Sequence, residues 1–311
     1  MIKIADLFAG IGGIRLGFEQ AFGKANVNCV FTSEIDKHAI KTYIANFGDH
    51  NIHGDIRQIE ASTIPDHDIL LAGFPCQSFS IAGLQKGLND DRGQAFFEIE
   101  RVLKAKKPKT FLLENVPHLK TMNNGEIFLF MLKQLSELGY KIHYEILSGK
   151  DFDVPQNRRR LYIVGNLDHK DFQFPKPLGI ATQISDILET DVSAIYCLSD
   201  HRWHHIQSRM KFGSSGWSSY KIFSENEPYT TTLIAGYLNH PEKILMKHPT
   251  GNPRRLTERE CARLQGFPEA FVIDQVSKSQ IYKQLGNSVC VPVIRAIAEQ
   301  MKKTFFEEST Q

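Results

Sequence analysis

The sequence predicts an α/β protein whose larger domain is a doubly wound, mostly parallel sheet. Three observations support this fold class. Short apolar runs typical of buried strands alternate with stretches of helical period. Several of these runs end in a glycine or an acidic residue, as strands do at the ligand-binding edge of such sheets. The alternation stops after about residue 166, where aromatic residues, Ser, Thr and His indicate a smaller, irregular, β-rich domain.

The first strand is predicted at residues 3–8, followed by a glycine turn and a helix over 14–22. A strand, a glycine turn and a helix in this order typically cradle a nucleotide-like ligand. Arg15 occupies the third glycine position of the GxGxxG fingerprint, which disfavours NAD or FAD. A second strand over 28–33 ends at Glu34, an acid placed to bind both hydroxyls of a ribose. A helix-terminal acid facing the dipole is an equally good interpretation of Glu34 alone.

The next two strands deliver further candidate side chains. A third strand ends near Asp55, which is placed to accept a hydrogen bond from an adenine amino group. The apolar run 68–72 stops at Gly73, and Pro75 prevents the strand from continuing, so Cys76 stands just past its carboxyl end. No regular period follows up to residue 93, and a loop of that length is usually functional. A lone cysteine is more often a buried structural residue, so Cys76 needs support from its neighbours.

That support comes from a shared edge of the sheet. The run 109–113 ends at Glu114, whose carboxyl should be partly desolvated, with a pKa raised toward the range useful for proton donation. Helices over 94–106 and 127–138 and strands over 142–147 and 161–165 complete the alternation. Phe8, Glu34, Asp55, Cys76 and Glu114 all fall at carboxyl ends of predicted strands, where open α/β sheets bind their ligands.

Composition and charge limit the class of protein. The 311 residues carry a net charge of +2, and five cysteines without a close pair indicate reduced thiols and an intracellular protein. No signal-peptide layout or membrane-spanning stretch is present, so we expect a soluble cytoplasmic protein without a membrane partner. Residues 101–165 hold 12 basic and 6 acidic side chains, which leaves room for a basic face toward phosphates. A solvated helix is the alternative for the first part of that stretch.

A cluster in the second domain raises the question of a metal. Cys197, His201, His204 and His205 lie close in sequence, but their spacing fits no standard zinc site. We therefore expect no metal.

A thiolate, a desolvated carboxyl and a ribose-binding acid suit the nucleophilic activation of a pyrimidine. Carbon 5 of cytosine is a poor nucleophile. Addition of a thiolate at carbon 6 converts the ring into an enamine, provided that a proton reaches ring nitrogen 3. Carbon 5 can then attack a sulfonium methyl group. A base removes the carbon-5 hydrogen, and the cysteine is expelled without any need for a metal.

Nine blocks run through the chain in a fixed order: DLFAGIGG (6–13), SEID (33–36), GDI (54–56), GFPCQSFSIAG (73–83), DRG (91–93), ENV (114–116), QNRRRLYIVG (156–165), RRLTERECARLQGFP (254–268) and QLGNSV (284–289). Their order and spacing resemble the motif series of the bacterial DNA (cytosine-5) methyltransferases. The likeness covers nearly the whole chain except about residues 189–250. Residues 65–109 closely resemble the small HhaI-type enzymes of that family.

The resemblance implies roles for named residues. Cys76 would be the nucleophile, Glu114 the donor to ring nitrogen 3, and Arg160, with Arg158 nearby, would hold the cytosine carbonyl; a solvated basic turn is the alternative for the arginines. S-adenosyl-L-methionine would be surrounded by Phe8, Gly10, Gly12, Glu34, Ile35, Asp55, Ile56, Pro75, Asn287, Ser288 and Val289. DNA would be contacted by Ser80, Arg92, Gln156, Arg160, Thr232 and Leu233, although Thr232-Leu233 also fits an ordinary strand.

The family further implies a Rossmann-like, S-adenosylmethionine-dependent fold and a complete activity. We expect a monomeric DNA (cytosine-5-)-methyltransferase of the bacterial cytoplasm that acts on a flipped cytosine in double-stranded DNA and releases S-adenosyl-L-homocysteine. It would be the modification enzyme of a restriction–modification system. The catalytic domain is expected at 1–188 plus 286–311, and the target-recognition domain and hinge at 189–285. The alternatives are the tRNA-modifying branch of the family, a dinucleotide-binding oxidoreductase and an inactive DNA-binding module.

Overall fold

A seven-stranded sheet with the order β3-β2-β1-β4-β5-β7-β6 forms the centre of the molecule. The computed structural model describes residues 1–75, 94–213, 219–249 and 251–307. The strands are β1 (Ile2–Leu7), β2 (Val27–Ser33), β3 (Ile52–His53), β4 (Ile69–Gly73), β5 (Thr110–Asn115), β6 (Lys141–Ser148) and β7 (Arg159–Asn166). The strands β1 to β5 pair in parallel, and β7 runs antiparallel to both β5 and β6. The predicted mostly parallel α/β sheet is confirmed.

Successive strand residues point to opposite sides of the sheet, and helices cover both faces. The helices are α1 (Gly13–Phe22), α2 (Lys37–Phe47), α3 (Gln94–Lys106), α4 (Glu126–Glu137), α5 (Asp200–Arg209), α6 (Glu258–Leu264), α7 (Lys278–Asn287) and α8 (Val291–Met301). On one face Leu71 and Leu112 pack with α1 and α8, and on the other Leu70 and Leu113 pack with α3 and α4. The last helix therefore returns to the same sheet as the first.

Residues 167–255 have little regular structure. The described residues form four strands of two residues each, β8 (Lys211–Phe212), β9 (Ser219–Tyr220), β10 (Ile222–Phe223) and β11 (Leu245–Met246). A small core of Leu198, Ile206, Tyr220 and Leu245 supports α5. Hydrogen bonds between side chains and the backbone stabilise this part of the chain. Tyr237, for example, donates to the Ile244 carbonyl at 2.6 Å and accepts from the Leu256 amide at 2.8 Å.

The helix α6 begins with a capping box, for which Thr257 and Glu260 have the residue types and the spacing. The Thr257 hydroxyl accepts from the Glu260 amide, and the Glu260 carboxylate accepts from the Thr257 amide at 2.8 Å. The same carboxylate is fully buried and bound by both Nη atoms of Arg254, at 2.7 and 2.8 Å. The N-terminus of α6 is thus fixed by a buried ion pair.

None of the helices among the described residues has the length and apolar character needed to cross a membrane.

Candidate active site

A cavity of about 470 Å³ opens at the carboxyl edge of the parallel strands. The reversed direction of β7 adds a second source of side chains. Because β7 is antiparallel to β5, its first residues lie beside the last residues of β5, and Asn115 pairs with Leu161. The end of β5 and the start of β7 therefore meet at the same edge, which places Glu114 next to Arg160.

Most of the predicted site residues meet at this cavity. Those among its lining residues are Phe8, Gly10, Glu34, Ile35, Pro75, Glu114, Arg158, Arg160, Asn287, Ser288 and Val289. They come from six separate stretches of the chain, so only the fold could bring them together.

Glu114 and Arg160 form a partly buried ion pair. The Nε of Arg160 lies 3.1 Å from Oε1 of Glu114, and the two side chains are 14% and 12% exposed. Burial raises the pKa of the Glu114 carboxyl, and the charges of Arg160 and Arg158 offset only part of that rise. Gly73 pairs with Glu114 in the sheet, and a Cβ on Gly73 would lie 3.4 Å from Glu114 Oε2. The glycine thus leaves room beside a carboxyl whose pKa is raised by burial.

Arg158 has a different environment from Arg160. It is only 3% exposed, and its guanidinium donates to backbone carbonyls of Leu233 at 2.8 Å, Gly286 at 3.0 Å, and Ser288. Burial, with the nearby charge of Arg160, lowers the pKa of Arg158 to about 10, so it remains a cation at neutral pH. Its charge acts on Glu114, but its hydrogen bonds go to the backbone.

The opposite end of the cavity is built around Glu34. Its Oε2 accepts from the Gly10 amide at 2.7 Å, while its Oε1 accepts from the Ile35 and Asp36 amides at 2.7 and 2.8 Å. Four acceptor sites on a carboxylate leave capacity for further donors. Both Phe8 and Gly10 have a φ of 56°, and at Phe8 this left-handed backbone is strained. The glycine turn and the acid therefore hold one another in place.

The wall of the cavity between α2 and α7 contains lining residues that were not predicted from the sequence. Lys283 donates to Asp36 Oδ2 at 2.8 Å, and Gln284 Oε1 accepts from the buried Thr42 hydroxyl at 2.9 Å. Although burial raises the pKa of Asp36, the Lys283 hydrogen bond and the amides of α2 more than offset this and lower it. The only sequence signal was that Gln284 begins the QLGNSV block and Lys283 directly precedes it.

The cavity has the size and the side chains to hold a nucleoside. Its volume lies within the ~300–1,000 Å³ common for small-molecule sites. Glu34 offers acceptors for a ribose, and Phe8 and the exposed Ile35 offer apolar surface for a base. A Cβ on Gly10 would meet no described atom within 4 Å, so the turn borders open space. The described residues contain no group of three or more His, Cys, Asp or Glu that could hold a metal.

The environment of Arg15 agrees with the expectation that this glycine turn does not bind NAD or FAD. The side chain is buried, donates from Nε to Glu19 at 2.7 Å and from Nη1 to Tyr43 at 2.9 Å, and stacks 4.4 Å from the Phe47 ring centre. The third glycine position of the fingerprint thus holds a bulky side chain with partners of its own.

Comparison with known proteins agrees with this geometry. The family model described as C-5 cytosine-specific DNA methylase matches residues 2–303. Type II methyltransferase M.NlaX of Neisseria lactamica is 54% identical over 306 residues, covering 97% of this chain and 96% of that protein. Type II methyltransferase M1.ScrFI of Lactococcus lactis subsp. cremoris is 51% identical, covering 96% and 77%. The fold of S. pombe Dnmt2 methyltransferase matches with a TM-score of 0.82 at 22% identity, covering 97% and 99%.

The chain belongs to the C-5 cytosine-specific DNA methylase family. The recognition made from the ordered motif blocks is therefore confirmed. It is a DNA cytosine-5 methyltransferase, and its sheet is the methyltransferase fold.

Three predicted cofactor residues of this methylase lie outside the cavity lining. Gly12 faces Phe47, and a Cβ there would lie 2.3 Å from that ring. Asp55 is bound by Arg57, whose hydrogen bonds are the largest cause of its lowered pKa. Ile56 is 2% exposed in the core on the α3 side of the sheet.

Two of the predicted DNA contacts of the methylase are buried. Gln156 is fully buried, and its amide bonds the Leu264 carbonyl and the Leu233 amide. Leu233 is also fully buried, whereas Thr232 is partly exposed and donates to the Asn157 carbonyl. Cys76, Ser80 and Arg92 lie outside the described residues.

Proposed function

We propose that this methylase transfers a methyl group from S-adenosyl-L-methionine to carbon 5 of a cytosine in duplex DNA, through a covalent adduct with Cys76. The observation that carries the proposal is the pairing of Glu114 with Arg160 in the same cavity as Glu34. Pro75 also lines this cavity, and Cys76 is the next residue in the chain. An acid, an arginine and a ribose-binding carboxylate thus share one edge of the sheet.

The cytosine ring must leave the base stack to reach this edge. The Cys76 thiolate forms a bond to carbon 6 while Glu114 donates its proton to ring nitrogen 3, and Arg160 holds the exocyclic carbonyl. The raised pKa of Glu114 keeps that proton available. Bound S-adenosylmethionine supplies an electrophilic methyl group. Loss of the carbon-5 hydrogen to a base then allows the Cys76 sulfur to leave, and return of the nitrogen-3 proton to Glu114 restores the neutral ring and the acid.

The residues at the other end of the cavity would bind the cofactor. Glu34 would accept from the ribose hydroxyls, Phe8 would stack on adenine, and Asn287, Ser288 and Val289 would close the amino-acid end. Because Gly12, Asp55 and Ile56 lie outside the lining, we expect them to support the turn and strand ends.

The biological context follows from the relatives. Both are named Type II methyltransferases, and the chain covers most of each. We infer that this protein is the modification enzyme of a restriction–modification system, active as a monomer in the bacterial cytoplasm. The division into a catalytic domain at 1–188 plus 286–311 and a recognition domain at 189–285 remains a proposal.

Bisulfite sequencing of DNA from cells that express the chain tests the function directly. We expect protected cytosines within one short sequence, and none in cells that express the Cys76→Ala variant. Incubation of the purified protein with labelled S-adenosylmethionine and either duplex DNA or tRNA tests the substrate. Incorporation into tRNA alone, or protection that survives in the Cys76→Ala cells, would refute the proposal.

A further inference from the structure

Two arginines of the QNRRR stretch lie two residues apart and have different partners. Arg160 is paired with Glu114, the proposed proton donor. Arg158 donates to three backbone carbonyls, those of Leu233, Gly286 and Ser288. The sequence gives no reason to separate them, because both fit a basic turn beside the cytosine.

The three carbonyls belong to two different parts of the site. Gly286 and Ser288 lie in the cavity wall, and Ser288 belongs to the corner proposed to hold the amino-acid end of the cofactor. Leu233 belongs to the segment 230–233, whose Thr232-Leu233 pair is proposed to take part in target recognition. One guanidinium therefore joins the cofactor wall to the recognition segment.

The segment 230–233 is also attached to the residues that precede Arg158. The Thr230 amide donates to the Pro155 carbonyl at 2.8 Å, and the Asn157 amide donates to the Thr230 carbonyl at 2.9 Å. The Thr232 hydroxyl donates to the Asn157 carbonyl at 2.8 Å, and the Leu233 amide donates to Gln156 Oε1 at 2.8 Å. We call these bonds between 155–158 and 230–233 the junction ladder. Arg158 connects the junction ladder to Gly286 and Ser288.

Only arginine has the donors for this arrangement. Its planar guanidinium presents several N–H groups in a fixed fork, whereas a lysine ammonium is a single point with a shorter, mobile stem. A side chain that is 3% exposed and bonded to three carbonyls also has little freedom to turn toward a substrate. These contacts describe a structural bridge.

We propose that Arg158 is a positioning residue that fixes the cofactor-facing corner 286–289 against the recognition segment, whereas Arg160 is the arginine that contacts the cytosine. This inference rests on the proposed function. It predicts that the two arginines affect different steps, Arg158 the binding of the cofactor and Arg160 the activation of the ring.

An exchange reaction that needs no cofactor separates these steps. When Cys76 adds to carbon 6 and Glu114 protonates nitrogen 3, carbon 5 can take a proton from water instead of a methyl group. Loss of the original hydrogen and departure of the cysteine then leave cytosine with a solvent hydrogen at carbon 5. Release of tritium from unmethylated duplex phage DNA labelled at cytosine carbon 5 measures this reaction.

The matched variants are Arg158→Lys and Arg160→Lys, both of which keep the charge near Glu114. For Arg158→Lys we expect S-adenosylhomocysteine to bind about tenfold more weakly by calorimetry, while tritium release stays within about twofold of wild type. For Arg160→Lys we expect tritium release to fall by about a hundredfold, with S-adenosylhomocysteine affinity kept.

Several results would overturn the inference. If Arg158→Lys loses tritium release but binds S-adenosylhomocysteine normally, Arg158 contacts the cytosine. If both readouts fall together with the melting temperature, its role is general stability. If wild type itself neither releases tritium nor binds S-adenosylhomocysteine, the proposed function fails instead, and the two failures are distinguishable.

A second variant covers the case in which Arg158→Lys does not fold at the assay temperature. Thr230→Val removes the hydroxyl bond from segment 230–233 to the Pro155 carbonyl at 3.3 Å and leaves Arg158 in place. We expect it to weaken S-adenosylhomocysteine binding about threefold, with tritium release unchanged. Unchanged affinity in this variant would mean that the ladder does not set the position of the corner.

Discussion

The carboxyl edge of the sheet and the region around α6 each contain a carboxyl group paired with an arginine, but the two carboxyl groups differ in exposure and in the number of their hydrogen bonds. At the edge, Glu114 is held by one arginine, stays 12% exposed, and faces a cavity. Beside α6, Glu260 is completely buried and accepts from both Nη atoms of Arg254 and from two backbone amides. The first carboxyl keeps capacity for a substrate, and the second has used its capacity within the protein.

This contrast distinguishes residues that take part in the reaction from residues that stabilise the fold. A buried carboxylate with every lone pair satisfied cannot exchange a proton, but its loss leaves a cation unpaired. A carboxyl whose pKa is raised by burial is costly to ionise, and that cost is useful where a proton must be given. Changes at the edge should therefore remove activity and spare stability, while changes beside α6 should do the reverse.

The largest effect is expected from Cys76→Ala. Without the nucleophile, methyl incorporation into duplex DNA should fall to background, while S-adenosylhomocysteine binding and the melting temperature stay near wild type. Cys197→Ala removes a thiol from the irregular region and serves as the matched control, with activity retained. Methylation by Cys76→Ala at the wild-type rate would remove the thiolate from the mechanism.

Glu114→Gln should reduce turnover by about 10²–10⁴, because a neutral amide cannot protonate ring nitrogen 3. Single-turnover methylation measures this directly. Glu145→Gln changes an exposed carboxylate on the adjacent part of the sheet and should leave turnover unchanged. Near-normal turnover in Glu114→Gln would show that the proton comes from elsewhere.

The pH dependence of turnover follows from the same carboxyl. Burial raises the pKa of Glu114 above its ordinary value of about 4.3, so the protonated form persists to higher pH and is lost as the pH rises through the raised pKa. Turnover should fall over that range, and the stability that the neutral carboxyl provides should decline with it. In Glu114→Gln the residual rate should lack this alkaline limb. An identical limb in the variant would assign the titration to another group.

Glu260→Gln should destabilise the protein by about 3 kcal/mol, because it leaves Arg254 buried without its counter-charge. Urea denaturation gives this value, and single-turnover methylation of the folded fraction should stay close to wild type. The control is Glu269→Gln, which breaks an exposed ion pair with Arg263 and should cost less than about 1 kcal/mol. Equal losses in the two variants would contradict the contrast drawn here.

The smallest effect is expected from Glu34→Gln. The single amide oxygen can keep only part of the three backbone bonds and offers the ribose fewer acceptors, so the KM for S-adenosylmethionine should rise about tenfold with little change in kcat. Glu60→Gln, at an exposed acid, is the control. A fall in kcat with unchanged KM would place Glu34 outside cofactor binding.

The sheet was predictable because most of its strands are visible in the sequence as short apolar runs. The runs that became β2 and β5 are buried over most of their length, so the positions of Glu34 and Glu114 at strand ends followed from sequence alone. The capping box of α6 was also local, since Thr257 and Glu260 satisfy each other.

Other features depend on contacts that the sequence does not display. The helix α7 was not predicted because its last turn reads Leu-Gly-Asn, residues that favour a turn. Gly286 is needed there because a Cβ would lie 2.3 Å from the Ile234 carbonyl group. In α5 only Ile206 is buried, so no helical period is visible. Likewise, Gln284 meets Thr42, 242 residues away, and Arg158 meets backbone atoms of no particular sequence.

The junction ladder has a consequence for how this protein can diversify. Its bonds join main-chain atoms of 155–158 and 230–233 to one another or to the side chains of Gln156, Arg158 and Thr232, so the stretch between the two segments is held at both ends by atoms that lie outside it. Lengthening or replacing the chain between these anchor points leaves the anchors themselves chemically intact. The stretch can therefore change in length and composition without loss of the bonds that hold segment 230–233 beside residues 155–158.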